Sequence, residues 1–210
     1  MAITTILFDL DNTLIDRKRV FEEMLMQKIG EYHNENVADI VQEIIKWDNN
    51  GNQHRLVTFQ QYVDTYNVNV TAKELNDYWN ENSGKIIYVY DDVYETLRYL
   101  KSKYRLGIVS NGNPESQRRK INQLPFIDLF DLVIVSGELG IDKPDIRIFD
   151  YAAKSMNVTN NECAFVGDNF RCDILGATNA GMLAIWKCTK EQFDEKYICI
   201  EHINELKKYL

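Results

Sequence analysis

Ile6-Leu7-Phe8-Asp9-Leu10-Asp11-Asn12-Thr13-Leu14 is the stretch on which the fold turns. Three apolar residues run straight into two carboxylates and a hydroxyl, each two positions after the last. Side chains two apart on a strand share a face. A buried strand ending this way aims Asp9 and Asp11 at one point just past its C-terminal end, where open α/β sheets bind ligands. Two carboxylates held that close repel each other and tend to raise one pKa. Proteins tolerate this where they need a metal site, a nucleophile or an acid/base pair.

Outward from this strand, short apolar runs recur after residue 100 and each ends in small or polar residues: Leu106–Ser110, Leu132–Ser136, Cys163–Gly167, Met182–Trp186 and Tyr197–Ile200. With Ile3–Leu10 they predict six strands. The runs are continuous rather than alternating, so both faces of the sheet are expected to be covered. Helical periodicity lies between them, at Asp92–Lys103, Pro114–Gln123, Pro144–Met156 and Asn169–Ala180. Two of these segments open with proline at the expected first turn, and the last stops at Gly181, a C-cap signal. Alternating strands and helices predict an α/β protein with a doubly wound parallel sheet.

Residues 16–85 break the alternation with helical spacing alone, in four runs: Val20 to Ile29, Val37 to Ile45, Phe59 to Val63, and Leu75 to Trp79. The expected organisation is a core of residues 1–15 and 86–210 with an all-α insert at 16–85. The insert leaves the chain directly after the carboxylate strand, so it is expected to sit over the site. Its polar loop, Asn49–Arg55, reads either as a solvated loop or as one that reaches a substrate. Arg17-Lys18-Arg19 reads as an exposed first turn.

The chain has 210 residues and a net charge of -8. That charge argues against nucleic acid polymers and anionic membranes as partners, since phosphate backbones are bound by basic surfaces. A small phosphorylated metabolite remains compatible, because one lysine and one metal ion suffice locally. Cys163, Cys172, Cys188 and Cys199 form no C-x-x-C pair and read as reduced thiols of a cytoplasmic protein. No signal peptide or membrane-length apolar run is legible.

Three predicted strand ends and one later loop carry polar chemistry: Asp9-x-Asp11-x-Thr13, Ser110-Asn111-Gly112, and Gly167-Asp168 with Asp173 at the strand ends, and Asp142-Lys143-Pro144-Asp145 in the loop. In a parallel sheet they fall on one edge. Oxygen donors of this kind suit Mg²⁺. In this order the motifs resemble those of the haloacid dehalogenase-like (HAD) hydrolases, over about residues 3–15 and 86–188. The insert resembles the helical C1 cap of the phosphoglycolate phosphatase-like and pyrimidine 5'-nucleotidase-like branch.

The resemblance implies a Rossmann-like core, a cap that opens and closes over it, and a Mg²⁺-dependent phosphatase acting through an aspartyl-phosphate. It implies Asp9 as nucleophile and Asp11 as acid/base. Ser110, with the backbone N–H groups after it from Asn111 on, and Lys143 would bind phosphate. The metal would be held by Asp9, the backbone carbonyl of Asp11 and Asp168, with Asp173 as ligand or in support. Nucleoside monophosphates come first among the expected substrates, then phosphoglycolate and sugar phosphates. A phosphomutase, a 2-haloacid dehalogenase and a non-catalytic binding protein share the fold. Asp11 speaks against the dehalogenase, because that family lacks the second carboxylate.

Overall fold

Six strands, β1 (Thr5–Phe8), β2 (Arg105–Ser110), β3 (Leu132–Val135), β4 (Cys163–Gly167), β5 (Leu183–Lys187) and β6 (Ile198–Ile200), form one parallel sheet in the order β3-β2-β1-β4-β5-β6. The computed structural model describes residues 2–210. Its α-helices are α1 (Arg17–Ile29), α2 (Val37–Asp48), α3 (Arg55–Tyr66), α4 (Ala72–Asn82), α5 (Val93–Lys101), α6 (Pro114–Ile121), α7 (Ser136–Leu139), α8 (Ile146–Ser155) and α9 (Gly176–Asn179).

The chain forms two compact units. One comprises the stretch up to Asp16 together with Val89–Leu210, and the other is Arg17–Tyr88. All six strands belong to the first. β1 is central because it is apolar on both faces: Ile6, Leu7 and Phe8 are wholly buried. Burying each such side chain contributes roughly 1.5–3 kcal/mol. On one face Leu7, Val109, Ile134 and Phe165 of the strands pack with Ile148, Phe149 and Ala152 of α8. On β1, Phe8 pairs with Ile108 of β2 and with Val166 of β4. The chain leaves β1 to build the β2-β3 side first and returns to build β4-β5-β6. The order therefore reverses at β1, and a doubly wound sheet binds its ligand in the crevice at such a reversal.

Two helices differ from the sequence expectation. Pro144 does not open α8. Asp145 does, in an extended conformation, with its carboxylate accepting from Arg147 N at 3.0 Å. An Asx cap satisfies an otherwise orphan N–H at the first turn, which proline cannot do. The single helix expected over Asn169–Ala180 is instead a π-helical turn, Phe170–Leu175, followed by the short α9. Gly181 does end it in the left-handed region, at φ 83°.

The second unit is four helices around Phe21, Leu25, Ile44, Phe59, Tyr62 and Leu75. Thr71 and Glu74 form a reciprocal capping box at the start of α4. Arg17 and Arg55 both pair with Asp48, which is 1% exposed. Arg17 is therefore not part of a solvated turn, and Arg55 belongs to α3 rather than to a free loop. A carboxylate taken out of water needs paired donors, and two guanidinium groups supply them. Both guanidinium groups also lie over the Phe21 and Trp79 rings, Arg55 at 4.2 and 4.5 Å.

Candidate active site

Asp9 leaves β1 as the first residue past the strand, and its N–H donates to Val166 O of β4 at 2.9 Å. That bond holds the carboxylate at the point where β1 and β4 part. Gly167 and Asp168 follow at the end of β4, so the two aspartates meet across neighbouring strands. Asp173 comes back to the same place from the π-helical turn. Asn169 starts that turn, capping Cys172 N with its side chain at 2.9 Å, while its own N–H donates to Asp173 Oδ2 at 3.0 Å. One extra residue in a helical turn swings a side chain out of its usual direction, a device frequent at functional sites. Here it carries Asp173 under the sheet edge.

The approach is so close that Gly167 has no alternative. A Cβ on residue 167 would lie 2.4 Å from Asp173 Cγ. The glycine thus makes room for a carboxylate.

Asp9, Asp168 and Asp173 each offer an oxygen within 4.8 Å of the others. Lys143 is 3% exposed, and its Nζ lies 2.7 Å from both Asp9 Oδ1 and Asp173 Oδ1. Thr13 is fully buried and reaches Asp9 Oδ2 with its hydroxyl at 3.4 Å. Burial raises the Asp9 carboxyl to about 7, with Asp173 and Asp11 pushing the same way and Lys143 opposing. Asp168 is pushed well above the carboxylate range by burial and then by Asp9 and Asp173. Burial works against the charge of Lys143, but Asp173 and Asp9 more than offset it and hold that ammonium above its ordinary value. Three carboxylates thus share one buried lysine. An all-oxygen donor set with uncompensated negative charge fits a hard divalent cation, which reverses the local penalty on ionisation.

The remaining expected residues reach the same edge. Ser110 ends β2 and is 1% exposed. The Asn111 side chain braces the Lys143 loop, donating to Lys143 O and accepting from Lys143 N, both at 2.9 Å. Its amide is therefore committed, and only its backbone N–H stays available for an anion. The Asp11 carboxylate stands apart from the other three aspartates. It faces Lys120 Nζ at 2.8 and 2.7 Å and Gln117 Nε2 at 3.0 Å.

Gln117 and Lys120 are the residues that sequence reasoning missed. Their signal is faint: two polar residues three apart, followed by Ile121, on a helix that starts four residues after Ser110. Ser136, fully buried and accepting from Gly112 N at 3.1 Å, escaped notice likewise. So did Lys187, which donates to Asn12 O at 2.9 Å and supports the turn between Asp11 and Thr13.

Known proteins agree with this architecture. A family model described as haloacid dehalogenase-like hydrolase matches residues 3–181. A glyceraldehyde 3-phosphate phosphatase of Pyrococcus abyssi is 31% identical over 192 residues, covering 88% of this chain and 81% of its own. The pyrimidine 5'-nucleotidase YjjG of Escherichia coli is 31% identical over 120 residues, 57% of this chain and 53% of its own. Among solved structures, YfnB of Bacillus subtilis, described as a HAD-hydrolase and solved with magnesium bound, superposes with a TM-score of 0.81 at 20% identity, covering 100% of this chain and 99% of its own.

Proposed function

We propose that this chain, which belongs to the haloacid dehalogenase-like hydrolases, is a Mg²⁺-dependent phosphatase of small phosphomonoesters. The observation that carries the reading is the meeting of Asp9, Asp168 and Asp173 around Lys143 at the reversal point of the sheet. Asp9, Asp168 and Asp173 would hold the metal together with the backbone carbonyl of Asp11. Bound there, Mg²⁺ supplies positive charge for the phosphoryl oxygens and for the ionised form of Asp9.

The protein's own groups do the rest. Asp9 attacks phosphorus in line, forming an aspartyl-phosphate as the bond from phosphorus to the leaving oxygen breaks. Asp11 gives that oxygen its proton. Asp11 then takes a proton from the water that attacks phosphorus, which releases phosphate and restores Asp9. Lys143, Ser110 and the N–H groups after Ser110 receive the phosphoryl oxygens, where preformed donors lower the barrier most. Thr13 donates to Asp9, and Lys187 holds the turn that follows Asp11.

The substrate class is a small phosphorylated metabolite. The relative with the wider coverage is named for a triose phosphate and the shorter match for pyrimidine nucleotides. A triose or sugar phosphate therefore ranks with the nucleoside monophosphates that sequence motifs alone place first. Phosphate release over a panel of monoesters, with and without Mg²⁺, tests the reading. Release that needs Mg²⁺ and is lost in Asp9→Asn is expected. Release unchanged in Asp9→Asn would overturn the nucleophile, and release without any divalent cation would overturn the metal.

A further inference from the structure

Two side chains of α6 lie buried against this machinery, in contact with Asp11 and Ser110. Gln117 is 2% exposed and Lys120 7%. Lysine is almost never buried without a partner, and here the partner is Asp11, with both carboxylate oxygens within 2.8 Å of Nζ. We propose that Lys120 and Gln117 are positioning residues for phosphoryl transfer: Lys120 fixes the plane of the Asp11 carboxylate, and Gln117 ties that carboxylate to the Ser110 hydroxyl. The inference rests on the phosphatase reading above.

The geometry around Gln117 is directional. Its Nε2 lies 2.6 Å from Ser110 Oγ, 2.8 Å from Asn111 O and 3.0 Å from Asp11 Oδ2. Turning the amide over would set its oxygen against a carboxylate and a carbonyl, so the chemistry settles the orientation. Gln117 Oε1 is left buried without a hydrogen-bond partner, a costly arrangement that stability alone does not favour. Ser110 Oγ accepts from Gln117, so its own proton is directed elsewhere, to the phosphoryl oxygen in the proposed reaction. One amide thus sets the hydroxyl as a donor and steadies the neighbouring acid/base.

The helix that presents the pair is itself held. Asn113 caps it, accepting from Ser116 N at 3.2 Å, and Pro114 occupies its first turn. Arg118 makes a two-point pair with Glu138, at 2.7 and 2.6 Å. Gln117 and Lys120 are three apart and so project from one face. A carboxylate that must meet a leaving oxygen gains from such fixing, since small misplacements in an active site are costly in rate.

The test compares Lys120→Met, Lys120→Arg and Gln117→Met with the wild-type protein, using an alkyl phosphomonoester that the wild type hydrolyses and p-nitrophenyl phosphate. The p-nitrophenolate leaving group departs as a stable anion and needs no proton from Asp11. In Lys120→Met, kcat/KM on the alkyl ester is expected to fall roughly tenfold to a hundredfold, while kcat/KM on p-nitrophenyl phosphate, which reports only the steps up to the aspartyl-phosphate, loses less than about threefold. Lys120→Arg restores part of the loss. Gln117→Met raises both KM and the inhibition constant of inorganic phosphate, because the Ser110 proton is no longer directed.

Equal losses on both esters, with a lowered melting temperature, would mean a merely structural role and overturn the proposal. So would alkyl-ester kinetics unchanged in every variant. Should Lys120→Met fail to fold, the phosphate inhibition constant of Gln117→Met and the ratio of kcat/KM for the two esters in Lys120→Arg decide in the same way. A wild-type protein that releases no phosphate from any ester sinks the phosphatase reading, whereas an active wild type with unaffected variants sinks this inference alone.

Discussion

Gly167 shows how a single residue carries the site. Its missing side chain is the space that the Asp173 carboxyl group occupies. In Gly167→Ala the two groups cannot coexist, so Asp173 must swing away from Asp9 and Lys143. Overpacking of this kind costs about 1–3 kcal/mol. The variant is expected to fold, to melt earlier in urea by that amount, and to lose Mg²⁺ affinity measured by titration calorimetry. Wild-type affinity in Gly167→Ala would mean that Asp173 does not serve the metal. Asp9 and Asp11 differ at this same scale. They are two residues apart, yet Asp9 faces Lys143, Asp168 and Asp173 while Asp11 faces Lys120 and Gln117. Environment, not residue type, separates nucleophile from acid/base in the proposed reaction.

Among elements, the joint between β2 and β3 is fastened by one carboxylate. Asp131, just before β3, accepts from Leu106 N at 3.0 Å and from Lys101 Nζ at 2.6 Å. Burial alone would raise its pKa, but Lys101 and the Leu106 N–H outweigh it and hold the carboxyl below its ordinary value. A carboxyl whose folded pKa is depressed stabilises the fold above its unfolded pKa and loses that contribution as pH falls through the folded value. Asp131→Asn is therefore expected to lower stability at pH 7 and to flatten the decline of stability below about pH 4, where the wild-type group protonates. Denaturant midpoints between pH 3 and 7 measure this, and parallel acid limbs for the two proteins would refute it. The elements also show where local patterns mislead. The apolar runs of β1 to β6 mark strands because both faces are covered, whereas Asn169–Ala180 has helical spacing and still breaks into a π-helical turn, since Asp173 is drawn to Lys143 and Asn169 N–H.

For the whole molecule, the clustered carboxylates are a liability to the metal-free fold, because like charges are gathered where water is scarce. A cation that binds only the folded state stabilises it by mass action, by about 2.7 kcal/mol at a hundred times the dissociation constant. Wild-type protein is thus expected to melt at a higher temperature as Mg²⁺ is added, and Asp168→Asn to lose most of that rise. A melting temperature indifferent to Mg²⁺ in the wild type would count against the metal site. No helix among the described residues is long and apolar enough to cross a membrane.

Most of the fold was legible in the chain itself. Continuous apolar runs, proline and glycine punctuation and carboxylates at strand ends are local signals, and they place the six strands, the helical insert, and Asp9, Asp168, Asp173, Lys143 and Ser110 on one edge. What tertiary structure decided is which side chains touch. Gln117 and Lys120 stand 106 and 109 residues from Asp11. They meet it because β1 and β2 pair in parallel and α6 follows β2 at once. Arg17 and Arg55 converge on Asp48 in the same way, through helix packing. Periodicity records how a segment is buried against its surroundings. The partner of a buried charge is set by register and packing between distant segments, and no local pattern encodes that.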